Sequence, residues 1–164
     1  CLDWVSSPES YVAFAILVNR FPKFLYRGTA KAFQFDKLCI LFLEMGFDLH
    51  YHKLPLEHKI FVLLPYQNME CPLEQEFAVK ELRKLMRLER VSFQKKTFLR
   101  RALELHLDSQ QIIRKFGRFP DRNPLYHRES SEEEIDYIDE CDAAISAPHK
   151  WPWTTNWSHL CTGC

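Results

Sequence analysis

SFQKKTFLRRALELHLDSQQIIRKFG, residues 92–117, is the stretch of sequence that decides the fold of this chain. Its apolar residues recur at the three- and four-residue spacing of one face of an α-helix. They are Phe98, Leu99, Ala102, Leu105, Ile112, Ile113 and Phe116. Ser92 is a common helix-capping residue, and Gly117 accepts the left-handed backbone in which many helices end. The stretch therefore predicts one long helix between Ser92 and Gly117.

Two segments upstream show helix boundaries of the same kind. Ser7-Pro8 places a capping hydroxyl before a proline at the first helical position. Because the residue before a proline is pushed out of the helical region, Arg20-Phe21-Pro22 predicts the end of this first helix. Thr29 is predicted to cap a second helix that runs through Met45, and Gly46 is predicted to end it.

Three more helices complete the predicted set. Pro55 opens a short third segment that Pro65 stops, and Pro72 opens a fourth with helical spacing of its apolar residues. The pair Ser131 and Glu134 has the spacing of a capping box, so it predicts the start of a sixth helix that fades near Ala144.

No alternating strand pattern of convincing length occurs along the chain. Short connections marked by Pro and Gly place successive helices next to each other in antiparallel order. We predict an all-α fold of antiparallel helical hairpins with about six helices. Residues 4–144 form the predicted helical domain, and residues 145–164 form a Trp-rich C-terminal tail.

Composition narrows the class of protein and its partners. The 164 residues are 46% hydrophobic and 27% charged, which is typical of a globular domain. With 22 basic and 22 acidic residues the net charge is zero, so we expect neither nucleic acid nor a membrane as partner. No apolar run reaches the length of a bilayer-spanning helix.

Six sparse cysteines favour an intracellular location, cytoplasmic or organellar. The chain begins at Cys1, so we treat its N-terminus as processed or truncated.

Cations and aromatic residues surround two similar segments at which predicted helices end, here called helix exits. Arg20-Phe21-Pro22 and Arg118-Phe119-Pro120 are each followed by Leu, Tyr and Arg. If the two exits lie side by side, they form a basic pocket with aromatic walls that suits a carboxylate or phosphate. The predicted ligand-binding residues are Arg20, Tyr26, Arg27, Arg114, Arg118, Arg122, Asn123 and Arg128. In the alternative interpretation, the same cations pair with helix C-terminal carbonyls and with carboxylates elsewhere in the chain.

Three motifs in this chain resemble the family known as domain of unknown function 924. Residues 114–123 read RKFGRFPDRN, and residues 21–33 contain LYRGTAKAF, close to the family patterns RFGRFPHRN and LYRGTARAF. Residues 60–65 occupy the middle family motif and residues 128–134 the end of the last one, so the resemblance covers about residues 4–138. It implies a tetratricopeptide-like helical bundle. It implies no activity, because the family has none assigned.

The chain departs from the family pattern at positions suited to proton transfer. Asn68, Ser109 and Asp121 stand where the family has histidines, and Asn19-Arg20 replaces Asp-Gln. The absence of these histidines removes the groups best suited to general acid–base catalysis near neutral pH. Glu70 remains as a weak catalytic candidate. We therefore lean towards a protein that is not an enzyme.

Other candidates for chemistry are weaker. His50, His52 and His58 cluster near a helix start without the spacing of metal ligands. His159, Cys161 and Cys164 supply three soft ligands where a structural zinc site needs four. No phosphate-binding loop, dinucleotide motif or nucleophile elbow is present. We expect no metal and no cofactor.

Two hypotheses for function follow. The first is a non-catalytic interaction or scaffold module with a protein partner or a larger assembly. The second is a binder or enzyme that acts on a small anionic metabolite at the arginine pocket. RNA binding at the same patch is less favoured at zero net charge. Trp151, Trp153 and Trp157 in the tail either fold back on the domain or dock on another protein.

Overall fold

The computed structural model describes residue 4, residues 6–88 and residues 92–146, with side chains described up to residue 141. Six α-helices lie in this part of the chain: α1 (Pro8–Leu25), α2 (Asp36–His50), α3 (Leu56–Leu63), α4 (Pro72–Met86), α5 (Phe93–Phe116) and α6 (Glu132–Ser146). Five short 3-10 turns connect them: Ala30–Phe33, Tyr51–Lys53, Leu64–Asn68, Pro120–Arg122 and Pro124–Tyr126. No strand occurs among the described residues, which confirms the all-α prediction.

Two antiparallel hairpins enclose the core. α1 packs against α2, where the Phe14 and Phe42 rings stack with centroids 3.7 Å apart, and the Tyr11 hydroxyl donates to the Leu43 carbonyl at 2.6 Å. α4 packs against α5, and α3 lies against α1, α4 and α5. Buried side chains of these helices, such as Ile60 and Leu82, form one continuous apolar cluster. Burial of this cluster is the main force that holds the helices together.

Local capping chemistry sets four helix boundaries as predicted. The Ser7 hydroxyl accepts from the Ser10 N–H at the start of α1, and the Ser92 hydroxyl accepts from the Lys95 N–H at the start of α5. Ser131 and Glu134 form the predicted capping box at the start of α6, with bonds of 2.9 and 3.2 Å. Gly117 ends α5 in the left-handed region with φ 73°.

The predicted end of the first helix at Pro22 is wrong. α1 continues through Pro22 to Leu25, and the Tyr26 N–H donates to the Pro22 carbonyl at 2.9 Å. A proline inside a helix costs about 3 kcal/mol because it removes one backbone bond and crowds the preceding turn. Here Pro22 is buried, and the extra turn brings Lys23 into an ion pair with Asp36.

The predicted bounds of the second helix are also wrong. The Thr29 hydroxyl donates to the Tyr26 carbonyl instead of capping, and only a 3-10 turn follows it. α2 begins at Asp36, passes through Gly46, which is buried inside the helix, and ends at His50. Gly46 therefore does not act as a helix terminator, and the helix ends further along the chain.

No helix in the described ranges has both the length and the apolar character that a bilayer crossing requires. The boundary predicted at residues 144 and 145 remains a prediction, because residues 147–164 lie outside the described residues.

Candidate functional site

The loop between α5 and α6 is held by an arginine–carboxylate pair. The Arg118 Nε and Nη2 atoms donate to the two Glu134 carboxylate oxygens at 2.7 and 2.8 Å, and Nη2 also reaches the Glu129 carbonyl. Glu134 is 3% exposed and further accepts from Asn123 Nδ2. The hydrogen bonds from Arg118 are the main cause that lowers the pKa of Glu134 to about 2. Arg118 is thus engaged within the protein.

A second arginine joins the same loop to the turn after α3. The Arg128 Nη1 atom lies 3.0 and 2.9 Å from the two Glu70 carboxylate oxygens. Glu70 also accepts from the Phe119 N–H at 3.0 Å. The predicted catalytic candidate Glu70 therefore fixes the loop geometry through both contacts.

Arg122 joins the loop after α5 to the segment between α1 and α2. It is 7% exposed and lies between two aromatic rings, 4.1 Å from the Phe33 centroid and 4.2 Å from the Phe119 centroid. Its Nη1 atom donates to the Asn68 carbonyl at 2.8 Å. Burial lowers the pKa of Arg122, while its acidic neighbours, Asp121 first, oppose that effect.

A buried polar group from the N-terminal half lies near Arg122. Lys23 forms an ion pair with Asp36, and Asn19 Nδ2 donates to the same Asp36 oxygen at 3.2 Å. Burial raises the pKa of Asp36, and the charges of Lys23 and Arg122 oppose the rise. The cluster therefore contains two cations and one carboxylate in a region that is largely closed to water.

The structure brings together part of the predicted ligand-binding set. Arg118, Arg122, Asn123 and Arg128 share the loop after α5, and Arg122 reaches the N-terminal segment through Phe33. Tyr26, Arg27 and Arg114 are exposed, and the Tyr26 ring lies 6.0 Å from the Lys31 ammonium. Arg20 lies on α1, where its charge acts on His106 of α5. The assignment of these residues to a ligand remains a prediction.

Sequence reasoning missed Asp36 as the partner that organises the N-terminal side. The available signal was a lone carboxylate in the apolar run of residues 32–43, because a charged residue in such a run needs a partner once it is buried. Its partner Lys23 lies on the preceding helix, α1, and no pattern in the residues around Asp36 indicates that pairing.

A shallow depression lies beside the Arg118–Glu134 pair. Its volume is about 420 Å³, and its lining residues are Lys115, Phe116, Gly117, Arg118, Ser131, Glu133 and Glu134.

Within the part of the chain that the structure describes, no group of His, Cys, Asp and Glu side chains is arranged to hold a metal ion. The predicted candidates His159, Cys161 and Cys164 lie outside the described residues.

Comparison with known sequences assigns the family. The family described as a bacterial protein of unknown function, DUF924, matches residues 1–142. The chain belongs to the DUF924 family. The resemblance read from the sequence motifs is thereby confirmed. No curated protein matches this DUF924 chain.

A solved structure has the same fold. It is that of ATU0120, a protein of unknown function from Agrobacterium tumefaciens, which is 27% identical and superposes with a TM-score of 0.72. The match covers 84% of this chain and 72% of the Agrobacterium chain. It supports the helical architecture around the loop after α5. The tetratricopeptide-like detail remains a prediction.

Proposed function

We propose that this chain is a non-catalytic helical module that binds another protein through the outer face of α2. The observation that carries the proposal is an exposed apolar stripe on that helix. Leu38, Leu41, Met45 and Leu49 are each between 52% and 61% exposed. Their spacing of three and four residues places them along one side of α2.

The stripe is bordered along one edge by charged side chains. The exposed residues Lys37, Glu44 and Asp48 lie next to Leu41 at helical spacing. The apolar side chains therefore form a continuous row with a charged row beside it. Single exposed apolar residues are normal on a protein surface, whereas a continuous stripe indicates an interaction site.

The neighbouring helix carries a second exposed apolar set. On α1, Leu17, Phe21 and Phe24 are 44%, 52% and 84% exposed. α1 and α2 pack against each other, so both sets belong to one hairpin. Apolar rows on adjacent helices suit the apolar face of a partner helix, which docks through residues at the same spacing. Burial of each half-exposed side chain contributes about 1 kcal/mol.

The arginine network supports a non-catalytic function. Arg118 and Arg128 are each paired with a carboxylate, and Arg122 is stacked between two rings. These contacts stabilise the loop after α5, and Glu70 is occupied by two of them. A general base with both oxygens engaged in this way is poorly placed to accept a substrate proton.

A photo-crosslinking amino acid tests the proposed surface. Placed at Leu41, it should crosslink a specific protein in cells, whereas the same group at Arg114, an exposed position of α5, should not. The captured protein is then purified and titrated with the chain. Leu41→Glu with Met45→Glu should weaken binding at least 100-fold, and the control Glu44→Ala with Asp48→Ala should leave it within about twofold. Equal crosslinking at positions 41 and 114 would contradict the proposal.

A small anion at the Arg122 cluster is the second proposal. Asn68 Nδ2 is buried and has no hydrogen-bond partner among the described residues, although Arg122 contacts the carbonyl of the same residue. A buried donor beside guanidinium groups suits a carboxylate or phosphate. Millimolar phosphate or citrate should raise the melting temperature, and Asn68→Ala should abolish that rise. A rise of equal size in the variant would exclude this site.

A further inference from the structure

A strongly basic surface lies at the end of the α4–α5 hairpin. Residues 80–101 contain nine Lys and Arg against two Glu, in a chain of zero net charge. On α4 the cations Lys80, Arg83, Lys84 and Arg87 follow the spacing i, i+3, i+4 and i+7, so they share one face, and all four are exposed. This face points away from the core, which takes up the other side of the helix.

α5 extends the same surface. Lys96 and Arg100 lie one turn apart near its start, beside Phe93, which is 83% exposed. Lys84 pairs with Glu81, Lys95 with Glu57 and Arg101 with Glu104. The remaining described cations, Lys80, Arg83, Arg87, Lys96 and Arg100, have no ion pair among the described residues. We define the basic hairpin surface as Lys80, Arg83, Arg87, Lys96, Arg100 and Phe93. Its positive charge is therefore not neutralised by neighbouring side chains.

The opposite charge lies on α6. Glu132, Asp136, Asp139 and Glu140 are exposed at i, i+4, i+7 and i+8, so they also share one face. None of them has an ion pair within the described ranges, and Ile135 beside them is 47% exposed. We define the acidic α6 surface as these four carboxylates with Ile135.

The basic hairpin surface lies near the start of α5, and the acidic α6 surface lies near its end. α6 starts where α5 ends, since Lys115 lies 3.6 Å from Glu133 and the Phe116 and Tyr137 rings are 5.1 Å apart. Lys96 is twenty residues earlier on the same helix, which corresponds to about 30 Å. No ion pair in the described part of the chain joins the two surfaces. Each surface therefore retains charge that another molecule can neutralise.

We propose that the acidic α6 surface of one copy of this chain binds the basic hairpin surface of another copy. The charges are opposite, and each surface carries one exposed apolar side chain that the other can cover, Phe93 and Ile135. A second copy of the chain carries both surfaces, so each surface of one copy finds its complement on the other. A nucleic acid would complement only the hairpin and would be repelled by α6. Such an association is electrostatic, so salt weakens it.

A charge-swap experiment tests the proposal on the full chain. The hairpin variant carries Arg83→Glu, Arg87→Glu and Arg100→Glu. The α6 variant carries Asp136→Lys, Asp139→Lys and Glu140→Lys. Sedimentation velocity at low salt should show association of the wild type, and each variant alone should be monomeric because like charges then face each other. An equimolar mixture of the two variants should associate again, since both contacts regain opposite charges.

Several outcomes would overturn the proposal. They are a monomeric wild type at low salt, a mixture that stays monomeric, or association that is unchanged in 1 M salt, where the screening length falls to about 3 Å. Re-association that requires added nucleic acid would assign the hairpin to that partner instead. The α2 stripe variant Leu41→Glu with Met45→Glu is the matched control and should associate like the wild type. All substituted side chains are exposed, and circular dichroism checks that each variant remains helical.

Discussion

At the scale of single residues, His106 in the middle of α5 couples stability to pH. Its side chain is fully buried, with Nδ1 2.8 Å from the Ala102 carbonyl and Nε2 3.0 Å from the Leu63 carbonyl. Burial is the main cause that lowers the pKa of His106, and the charge of Arg20 lowers it further. The two backbone contacts oppose this shift. The folded protein therefore holds a neutral imidazole, whose single N–H can donate to only one of the two carbonyls.

The expected consequence is a loss of stability in mild acid. Below the ordinary histidine pKa of about 6.5 the unfolded chain binds a proton that the folded chain does not. The free energy of unfolding should fall by up to about 1.4 kcal/mol per pH unit from this residue. Urea unfolding between pH 7.5 and 5 measures it, and His106→Gln should flatten the dependence. An identical slope in wild type and variant would show that His106 is not the group responsible.

Glu134 has the same sign of pH dependence as His106, in a more acidic range. Because the folded protein lowers its pKa to about 2, its stabilising contribution is present above the ordinary value and is lost as pH falls from about 4.5 towards 2. Glu134→Ala also removes the capping box and should cost about 1–2 kcal/mol at pH 7. The neighbouring Glu133→Ala is the control, since Glu133 makes only a 3.6 Å contact with Lys115. Urea unfolding at pH 7 and pH 3 should show a gap between the two variants that narrows in acid.

At the scale of helices, boundaries with local chemistry are the ones that the sequence predicts. Ser92 and Gly117 bound α5 as expected, because a capping hydroxyl and a left-handed glycine act within one turn. Pro22 and Gly46 were expected to end helices and lie inside them instead. Contacts with neighbouring helices outweigh local preference at these two positions, and no signal in the adjacent residues reports such contacts.

Substitution of Gly117 isolates the backbone contribution to the end of α5. An added Cβ would meet no atom within 4 Å, so any cost comes from the φ of +73° rather than from a steric clash. Gly117→Ala should lower the free energy of unfolding by about 1 kcal/mol. Gly117→Asn should cost less, because asparagine enters the left-handed region more readily. Equal losses for both variants would argue against a conformational origin.

At the scale of the whole molecule, Arg122 connects segments that are far apart in sequence. Its guanidinium lies between Phe33 and Phe119, and it donates to the Asn68 carbonyl. Arg122 thus joins the loop after α5 to the segment between α1 and α2, and the predicted meeting of the two Arg-Phe-Pro segments stays a prediction. Arg27 lies exposed, away from these contacts.

Removal of Arg122 should destabilise the entire domain. Arg122→Ala leaves a cavity between two rings and an unpaired buried carbonyl, so we expect a loss of about 2–4 kcal/mol in the free energy of unfolding. Arg114→Ala, at an exposed position of α5, is the matched control and should change it by less than about 0.5 kcal/mol. Urea titration followed by circular dichroism measures both values. A loss below 1 kcal/mol for Arg122→Ala would show that the stacked arrangement contributes little to the fold.

Residue spacing and motifs were enough to predict the helical class of this protein, its family and the helix starts at Ser7, Ser92 and Ser131. Those features depend on spacing and on capping groups within a few residues. The carboxylate that each arginine meets, and the apolar residues that remain exposed on α2, follow from the packing of the helices. The physical reason is that burial and ion pairing depend on neighbours brought together by packing, and the linear pattern of a helix does not specify those neighbours.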